Sequence, residues 1–349
     1  MKLHTVLSVL RQITYLKSIV KDYGDSLAQG KYYLFDIFRA MSLNEPDTLK
    51  SSSRYFNMTG VDPNKARVAT ILNKTGYFTN KNKKTKGDYV AFYTANNYDL
   101  QREVKLFSFE NKKILTICTS QTEMEKQLQQ FRAFGACYNM PQVLKCNRYP
   151  NSLELSMVDL LTPPEEYFAL KNIAESTVKG KSLSAQDLKY LKGYELVSFN
   201  YENEKINDIL KKIVSEIDKS VLESNIFLSI QHGDLSKDNL IYGTSNDKTD
   251  FWYIDWEHAS ERIFFYDYFF YMINSALYYD DSAFKCYMKG ESDDILTSFF
   301  KQFNLEFNPE FKKDYFLLFT VVFLKERVCD FGRTEALEMY YDFIKKSVL

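Results

Sequence analysis

His232-Gly233-Asp234-Leu235-Ser236-Lys237-Asp238-Asn239 is followed, after one hydrophobic run, by Ile254-Asp255-Trp256-Glu257. Asn239 comes five residues after Asp234, and Asp255 closes the run Phe251-Trp252-Tyr253-Ile254. If Leu240-Ile241-Tyr242 and Trp252-Tyr253-Ile254 pair as a hairpin across the polar turn Gly243 to Asp250, Asn239 and Asp255 meet at its open end. Two hard oxygen donors then stand side by side, a set that suits magnesium, which takes carboxylate, amide oxygen and water. Asp234 lies on the loop leading in, within reach of a hydroxyl proton. His232 is expected to support this loop through hydrogen bonds without carrying the proton. Lys237, on the same loop, is a candidate to neutralise charge on a transferring phosphoryl group. A carboxylate that orients a hydroxyl, oxygen ligands for magnesium and donors for phosphate are what phosphoryl transfer asks of a protein. A His-Gly-Asp triplet alone reads as an ordinary turn; the ordered set of His, Asp, Asn and a later strand-end Asp is far more specific.

Outward from this core, the remaining chain divides in three. Residues 1–50 read as an N-terminal helical extension, with Val6, Leu7, Leu10, Ile13, Leu16 and Ile19 at helical spacing and a second such pattern from Tyr33 to Met41. The polar stretch Asn44 to Asn57 separates it from residues 51–160, which read as a small β-rich lobe. Strands are expected at Tyr89–Tyr93, Arg102–Phe109, Lys113–Cys118, Met140–Leu144 and Ser152–Val158, with a helix from Gln121 to Cys137. Pro163-Pro164 marks the crossing into residues 161–349, mainly helical. Helices are expected there at Tyr167–Thr177, Ser184–Tyr194, Lys205–Leu222 and Tyr266–Tyr279, with two more after Asp314. Lys81 to Lys86 reads as a solvated polar turn.

With those elements in place, the chain resembles the aminoglycoside phosphotransferase and choline kinase family, relatives of the protein kinases. The family loop H-x-D-x-x-x-x-N matches His232, Asp234 and Asn239, and its I-D-[WF]-E matches Ile254, Asp255, Trp256 and Glu257. Asp267, in Phe265-Tyr266-Asp267-Tyr268, stands where the family often has an aspartate that helps to hold the loop. The resemblance is sharp over residues 226–272, loose over about 88–225, and absent from the N-terminal extension. It implies an α+β, two-lobed, protein-kinase-like fold and a phosphotransferase using ATP and magnesium. Asp234 would be the catalytic base, Asn239 and Asp255 the magnesium ligands, and the backbone at Met157-Val158 the adenine contact. The lysine that the family carries on its third strand is missing from Ile114-Leu115-Thr116-Ile117-Cys118. Lys105, on the preceding strand, or Lys113 are the substitutes, with Glu125, or failing it Glu123, as the helix partner. The nucleotide loop Thr94 to Asp99 has no glycine, so phosphate would be met by backbone and asparagine donors.

Composition narrows the classes of partner. A net charge of −1 and a pI of about 6.4 give no global field for nucleic acid. Five scattered cysteines, an odd number without a C-x-x-C, argue against a disulfide framework and for a reducing, cytoplasmic setting. The apolar run Tyr315 to Leu324 is too short for a bilayer span, which needs about 20 residues, and reads as a core helix. Residues 260–349 supply rings and the acids Asp280-Asp281, Glu291 and Asp293-Asp294, a combination suited to a cationic acceptor of aminoglycoside or choline type through cation–π contact. The same rings can stack on a saccharide. The low glycine content, the Tyr/Asn/Lys-rich character and the N-terminal helices look more like kinases of cell-envelope glycans or their precursors. Two other readings stand: a pseudokinase that binds nucleotide or protein without catalysis, and a metal-dependent hydrolase using His232, Asp234, Asp255 and His258. Asp330-Phe331-Gly332 spells the protein-kinase magnesium triplet but falls far after the catalytic loop, where a helix end is expected.

Overall fold

The computed structural model describes residues 3–34, 40–42, 63–82, 87–94, 103–183, 189–330 and 337–348. The chain forms two compact units. The first comprises Met1–Arg132, Pro141–Thr162 and Tyr242–Asp250, and the second Ala133–Met140, Pro163–Ile241 and Phe251–Leu349. The first is β-rich and the second mainly helical, as the sequence leads one to expect of an α+β chain.

The first unit runs α1 (Leu3–Asp22), β1 (Gly30–Lys31), β2 (Tyr33–Leu34), β3 (Ala40–Ser42), α2 (Pro63–Thr75), β4 (Thr79–Asn80), β5 (Ala91–Thr94), β6 (Val104–Ser108), β7 (Lys113–Ile117), α3 (Gln121–Phe134, which ends in the second unit), β8 (Val143–Cys146), β9 (Ser152–Ser156) and β10 (Asp159–Leu160). Seven strands form one antiparallel sheet in the order β2-β3-β5-β6-β7-β9-β8. Side chains alternate across it. Leu106 and Leu115 enter the core with Tyr89 and Phe92, while Leu153 and Leu155 pack with Met124 and Leu128 of α3.

Two expectations change here. Residues 1–50 do not stand apart as an extension: α1 buries Ile13, Leu16, Ile19 and Val20 in the same cluster as Phe92, Leu106 and Leu115. The helical pattern at Tyr33–Met41 is broken instead into β2 and β3, which pair with each other and, through β3, with β5. Pairing to a sheet edge outweighs helical spacing in so short a run. Phe35 to Arg39, Asn44 to Asn57 and Lys83 to Lys86 lie outside the described residues.

The second unit contains α4 (Glu166–Gly180), β11 (Tyr190–Lys192), α5 (Gly193–Leu196), α6 (Glu204–Val214), α7 (Lys219–Glu223), β12 (Asn225–Gln231), the open ends (residues 240–241 and 251–253) of a hairpin whose remainder belongs to the first unit, β15 (Ser260–Ile263), α8 (Tyr266–Tyr278), α9 (Ser282–Lys289), α10 (Asp293–Gln302), α11 (Lys312–Phe323) and α12 (Leu337–Ser347). The hairpin is β13 (Leu240–Ser245) and β14 (Lys248–Tyr253). Its turn is tighter than Gly243 to Asp250, because Asn246 (φ 50°) and Asp247 (φ 62°) both adopt the left-handed conformation that a two-residue turn requires. The expected helix at Ser184–Tyr194 is replaced at its end by β11, which pairs with β12; Ser184 to Ala185 and onward to residue 188 lie outside the described residues. β12 also pairs with β15, Gln231 facing Ser260, so the strand leading into His232 is held on both sides. Phenylalanines fill the core around α8, α10 and α11, Phe264 to Phe303 at 4.4 Å and Phe300 to Tyr315 at 4.9 Å between ring centroids. No described helix is long and apolar enough to cross a membrane.

Leu16 is fully buried in the core of the first unit. Leu16→Ala should therefore destabilise that unit by about 2–5 kcal/mol. Chemical denaturation followed by a probe in the seven-stranded sheet checks this; an unchanged transition would mean that α1 is a separate appendage.

Candidate active site

Residues 232–239 leave β12 and are held from below by α8. The carboxylate of Asp267, in the first turn of that helix, accepts the amide hydrogens of His232 (2.6 Å) and Gly233 (2.8 Å), while its own amide donates to Gln231 Oε1 (3.1 Å). Burial pushes the Asp267 carboxyl up to about 6, against the pull of the two amides. Gly233 has φ +80°, and a Cβ there would lie 2.3 Å from Arg262 Nη1 and 2.6 Å from the His258 carbonyl oxygen. Only glycine fits that turn.

The His232 ring is fully buried. Its Nδ1 accepts from the Asp234 amide (3.3 Å), so Nε2 carries the hydrogen and donates to the Ile254 carbonyl (2.8 Å). Burial depresses the imidazole to about 3. Trp256 packs against it at 4.7 Å and also meets Tyr138 (4.7 Å) and Phe134 (4.5 Å). With both nitrogens engaged inside the protein, His232 ties the loop to the strand end and has no lone pair left for a metal. His258 pairs with Glu257 at 3.2 Å. Neither histidine is arranged as the hydrolase reading required.

Asn239 joins the loop to the hairpin. Its Nδ2 donates to the Asp234 carbonyl (2.8 Å) and lies 3.4 Å from Asp234 Oδ2, while its carbonyl accepts the Ile254 amide (3.0 Å). Leu235 and Leu240 are buried on either side and anchor the segment. Asp255, next after Ile254, is exposed with φ 66° and ψ 63°, an uncommon conformation for a non-glycine residue and one that concentrates at functional sites. The Asn239–Ile254 bond thus brings Asn239 next to the residue before Asp255. Because Nδ2 is committed, Oδ1 is the Asn239 atom available for a cation. An amide oxygen and a carboxylate fit magnesium, with water completing the shell.

Two residues here carry no sequence signal beyond charge in an apolar helix. A π-helical turn, Leu324–Asp330, follows α11 and directs neighbouring side chains into the site. Arg327, almost fully buried, donates through Nη2 to Asp234 Oδ1 at 2.8 Å and to the Gly233 carbonyl. Glu326 takes Arg262 Nε (2.8 Å to Oε2), and Arg262 Nη1 donates to the His258 carbonyl (2.9 Å). Of the Asp330-Phe331-Gly332 triplet, Asp330 ends this turn and the other two residues lie outside the described ones.

Lys237 is held by carboxylates of its own unit. Nζ reaches Glu166 Oε1 and, at 2.8 Å, Asp280 Oδ2. Its ammonium is therefore already compensated, which weakens the expectation that it serves a transferring phosphoryl group.

The remaining candidates belong to the first unit. Lys105 faces Thr116 across the β6–β7 ladder, and β7 itself carries a lysine only at its first residue, Lys113. Its Nζ pairs with Glu103 Oε1 (3.1 Å), and Glu103 Oε2 accepts from Gln127 of α3 (2.8 Å). The strand-to-helix link thus runs through Glu103 and Gln127, residues that the motif did not indicate. Glu125 accepts instead from Gln121 (3.0 Å). Lys113 lies 3.6 Å from Asp88 and 3.7 Å from Glu154. The Met157 amide donates to the Lys112 carbonyl (2.8 Å), and Val158 is buried beside it. Of the loop Thr94 to Asp99, only Thr94 is described.

No family model and no curated protein matches this chain. Solved structures do. A choline kinase, LicA from Streptococcus pneumoniae, is 12% identical over 81% of this chain and 99% of its own, with a TM-score of 0.43. An aminoglycoside phosphotransferase, APH(4)-Ia, is 13% identical over 74% and 94%, with a TM-score of 0.45. The aminoglycoside phosphotransferase APH(3'')-Id from Streptomyces rimosus is 12% identical over 74% and 98%, with a TM-score of 0.38. Aminoglycoside phosphotransferases and choline kinases are among the solved proteins to which the chain is similar.

A folded-state value near 3 for His232, against 6.5 when free, means that the unfolded chain binds the extra proton. The associated stability is present above pH 6.5 and is lost as pH falls towards 3. Unfolding free energy measured between those limits should fall more steeply with acidification in the wild type than in His232→Gln. Equal slopes would show that the ring is accessible and protonated in the fold.

Proposed function

We propose that this chain is an ATP- and magnesium-dependent phosphotransferase that moves the γ-phosphate of ATP to a hydroxyl of a small molecule or saccharide. The observation that carries the reading is the Asn239 junction, which bonds the Asp234 carbonyl through its side chain and the Ile254 amide through its backbone. In this reading Asp234 accepts the proton of the attacking hydroxyl. Asn239 Oδ1 and the Asp255 carboxylate hold magnesium, which when bound neutralises charge on the phosphates. Lys105, steadied by Glu103, is the phosphate cation in place of the lysine that residues 114–118 lack, and Glu125 has no part in gripping it. The Met157 amide is committed to Lys112, so the adenine edge falls to Val158.

The geometry also bears on the acceptor. Every acid expected to attract a cation already has a partner. Asp281 meets Lys285, Glu291 meets Lys289, Asp293 meets Lys312, Asp294 meets Tyr167 and Asp280 meets Lys237. This favours a neutral saccharide, including a cell-envelope glycan or its precursor, over an acceptor of choline or aminoglycoside type.

One observation supports a second reading, a nucleotide- or protein-binding module without catalysis. Arg327 occupies one oxygen of the proposed base. Turnover of ATP to ADP across amines, sugars and envelope-glycan precursors separates the two. A phosphotransferase shows acceptor-stimulated turnover that Asp234→Asn lowers by about 10²–10⁴-fold, the usual contribution of a general base, with nucleotide binding retained. A wild type that gains thermal stability from magnesium and ATP together, yet turns over with no acceptor, is the binding module.

A further inference from the structure

We infer that Lys237 is a tethered cation that occupies an acid–tyrosine cluster beside the Asp234 loop and thereby excludes a cationic group of the acceptor from it. The inference rests on the phosphotransferase reading and narrows its substrate class to acceptors that are neutral or anionic at this position.

Lys237 lies three residues after Asp234, on the same loop. Its Nζ is bound by Glu166 Oε1 from α4 and by Asp280 Oδ2 (2.8 Å), two residues past α8, and stands 5.9 Å from the centre of the Tyr279 ring. The other oxygens of both acids are also taken. Tyr271 donates to Glu166 Oε2 (2.8 Å), and Ser282 donates to Asp280 Oδ1 through its amide (3.1 Å) and its hydroxyl. Two carboxylates with one tyrosine ring within cation–π reach are the chemistry that receives an organic ammonium ion. Here the ammonium is supplied by the chain. The Lys237 and Glu166 side chains are each about one-fifth exposed (20% and 21%), so the ion is partly withdrawn from water. Lys237 holds Asp280 down to about 2, its largest cause, so the acid stays ionised throughout the working pH range. An acceptor ammonium would have to displace a cation whose effective concentration, set by a short tether, is on the order of millimolar or more. A neutral hydroxyl compound faces no such competition.

Removing the tether should open the cluster to a free ammonium ion. The test is thermal melting of Lys237→Ala and of Lys237→Met, the latter keeping the apolar stem, titrated with propylammonium chloride against sodium chloride at equal ionic strength. Lys237→Ala is expected to melt lower than the wild type and to be restored by propylammonium in a saturable manner. Lys237→Met, with its stem filling the space, should respond at least tenfold more weakly, as should the wild type and Lys237→Ala combined with Glu166→Gln. A folded Lys237→Ala that ignores propylammonium overturns the inference. So does a wild type that phosphorylates choline or an aminoglycoside with a KM raised tenfold or more by Glu166→Gln, a result that would leave the phosphotransferase reading intact. Absence of ATP turnover with every acceptor would instead strike that reading, and the ammonium titration would stand independently of it.

Discussion

A buried carboxylate accepting two consecutive backbone amides supports everything else at this site. Asp267 receives the hydrogens of His232 and Gly233, and without it those donors would be stranded in an apolar interior. Leaving a buried polar group unmade costs about 1–3 kcal/mol, more where charge is involved. The arrangement requires a glycine at 233, because the turn has positive φ and Arg262 lies where a Cβ would stand. From that turn the His232 ring points at the Ile254 carbonyl, and the loop and the hairpin end become one assembly. Burial in the first turn of α8 works against the negative charge, and the hydrogen bonds from the two amides work for it.

A second layer of charge locks the loop from the C-terminal side. Glu326 and Arg327 are adjacent in sequence, and the π-helical turn lets both face inward, one to Arg262 and the other to Asp234. Arg262 in turn reaches the His258 carbonyl, just past Asp255 and Trp256. Breaking one partner of such a buried network strands a charge, so its parts are interdependent. The network also fixes the orientation of Asp234, with one oxygen on Arg327 and the other facing Asn239. Lys237, on the far side of the loop, belongs to a separate cluster with Glu166, Asp280 and Tyr271.

Much of this was legible in residues 226–272. The spacing of His232, Asp234 and Asn239 and the strand-end Asp255 indicated which groups would gather, because a hairpin's open end is set by local pairing. The position of Asp267 was legible by family resemblance alone. Arg327 and Glu326 were not, since their partners lie more than 60 residues away and nothing in a helix of mixed charge announces an inward pair. At Tyr33–Leu34 and Ala40–Ser42, pairing with each other and, through β3, with β5 replaces the helix that local spacing predicts, a long-range term invisible in the local pattern. Glu103 and Gln127 carry no motif signal for a related reason: the family link is a lysine–glutamate pair, whereas Gln127 of α3 here donates to Glu103. Sequence alone does not show which of the acids of residues 280–294 are paired, because their partners include residues as distant as Lys237, Lys312 and Tyr167.

The central claim is that the Asn239 junction and Asp255 form a divalent-cation site that works with nucleotide. Electron paramagnetic resonance of manganese, standing in for magnesium, measures it directly in the presence of ADP. The wild type should bind manganese more tightly with ADP than without it, and Asn239→Ala and Asp255→Asn should each weaken that binding by about tenfold or more, as loss of a ligand or its support commonly does. Equal manganese affinity in the wild type and both variants would contradict the account.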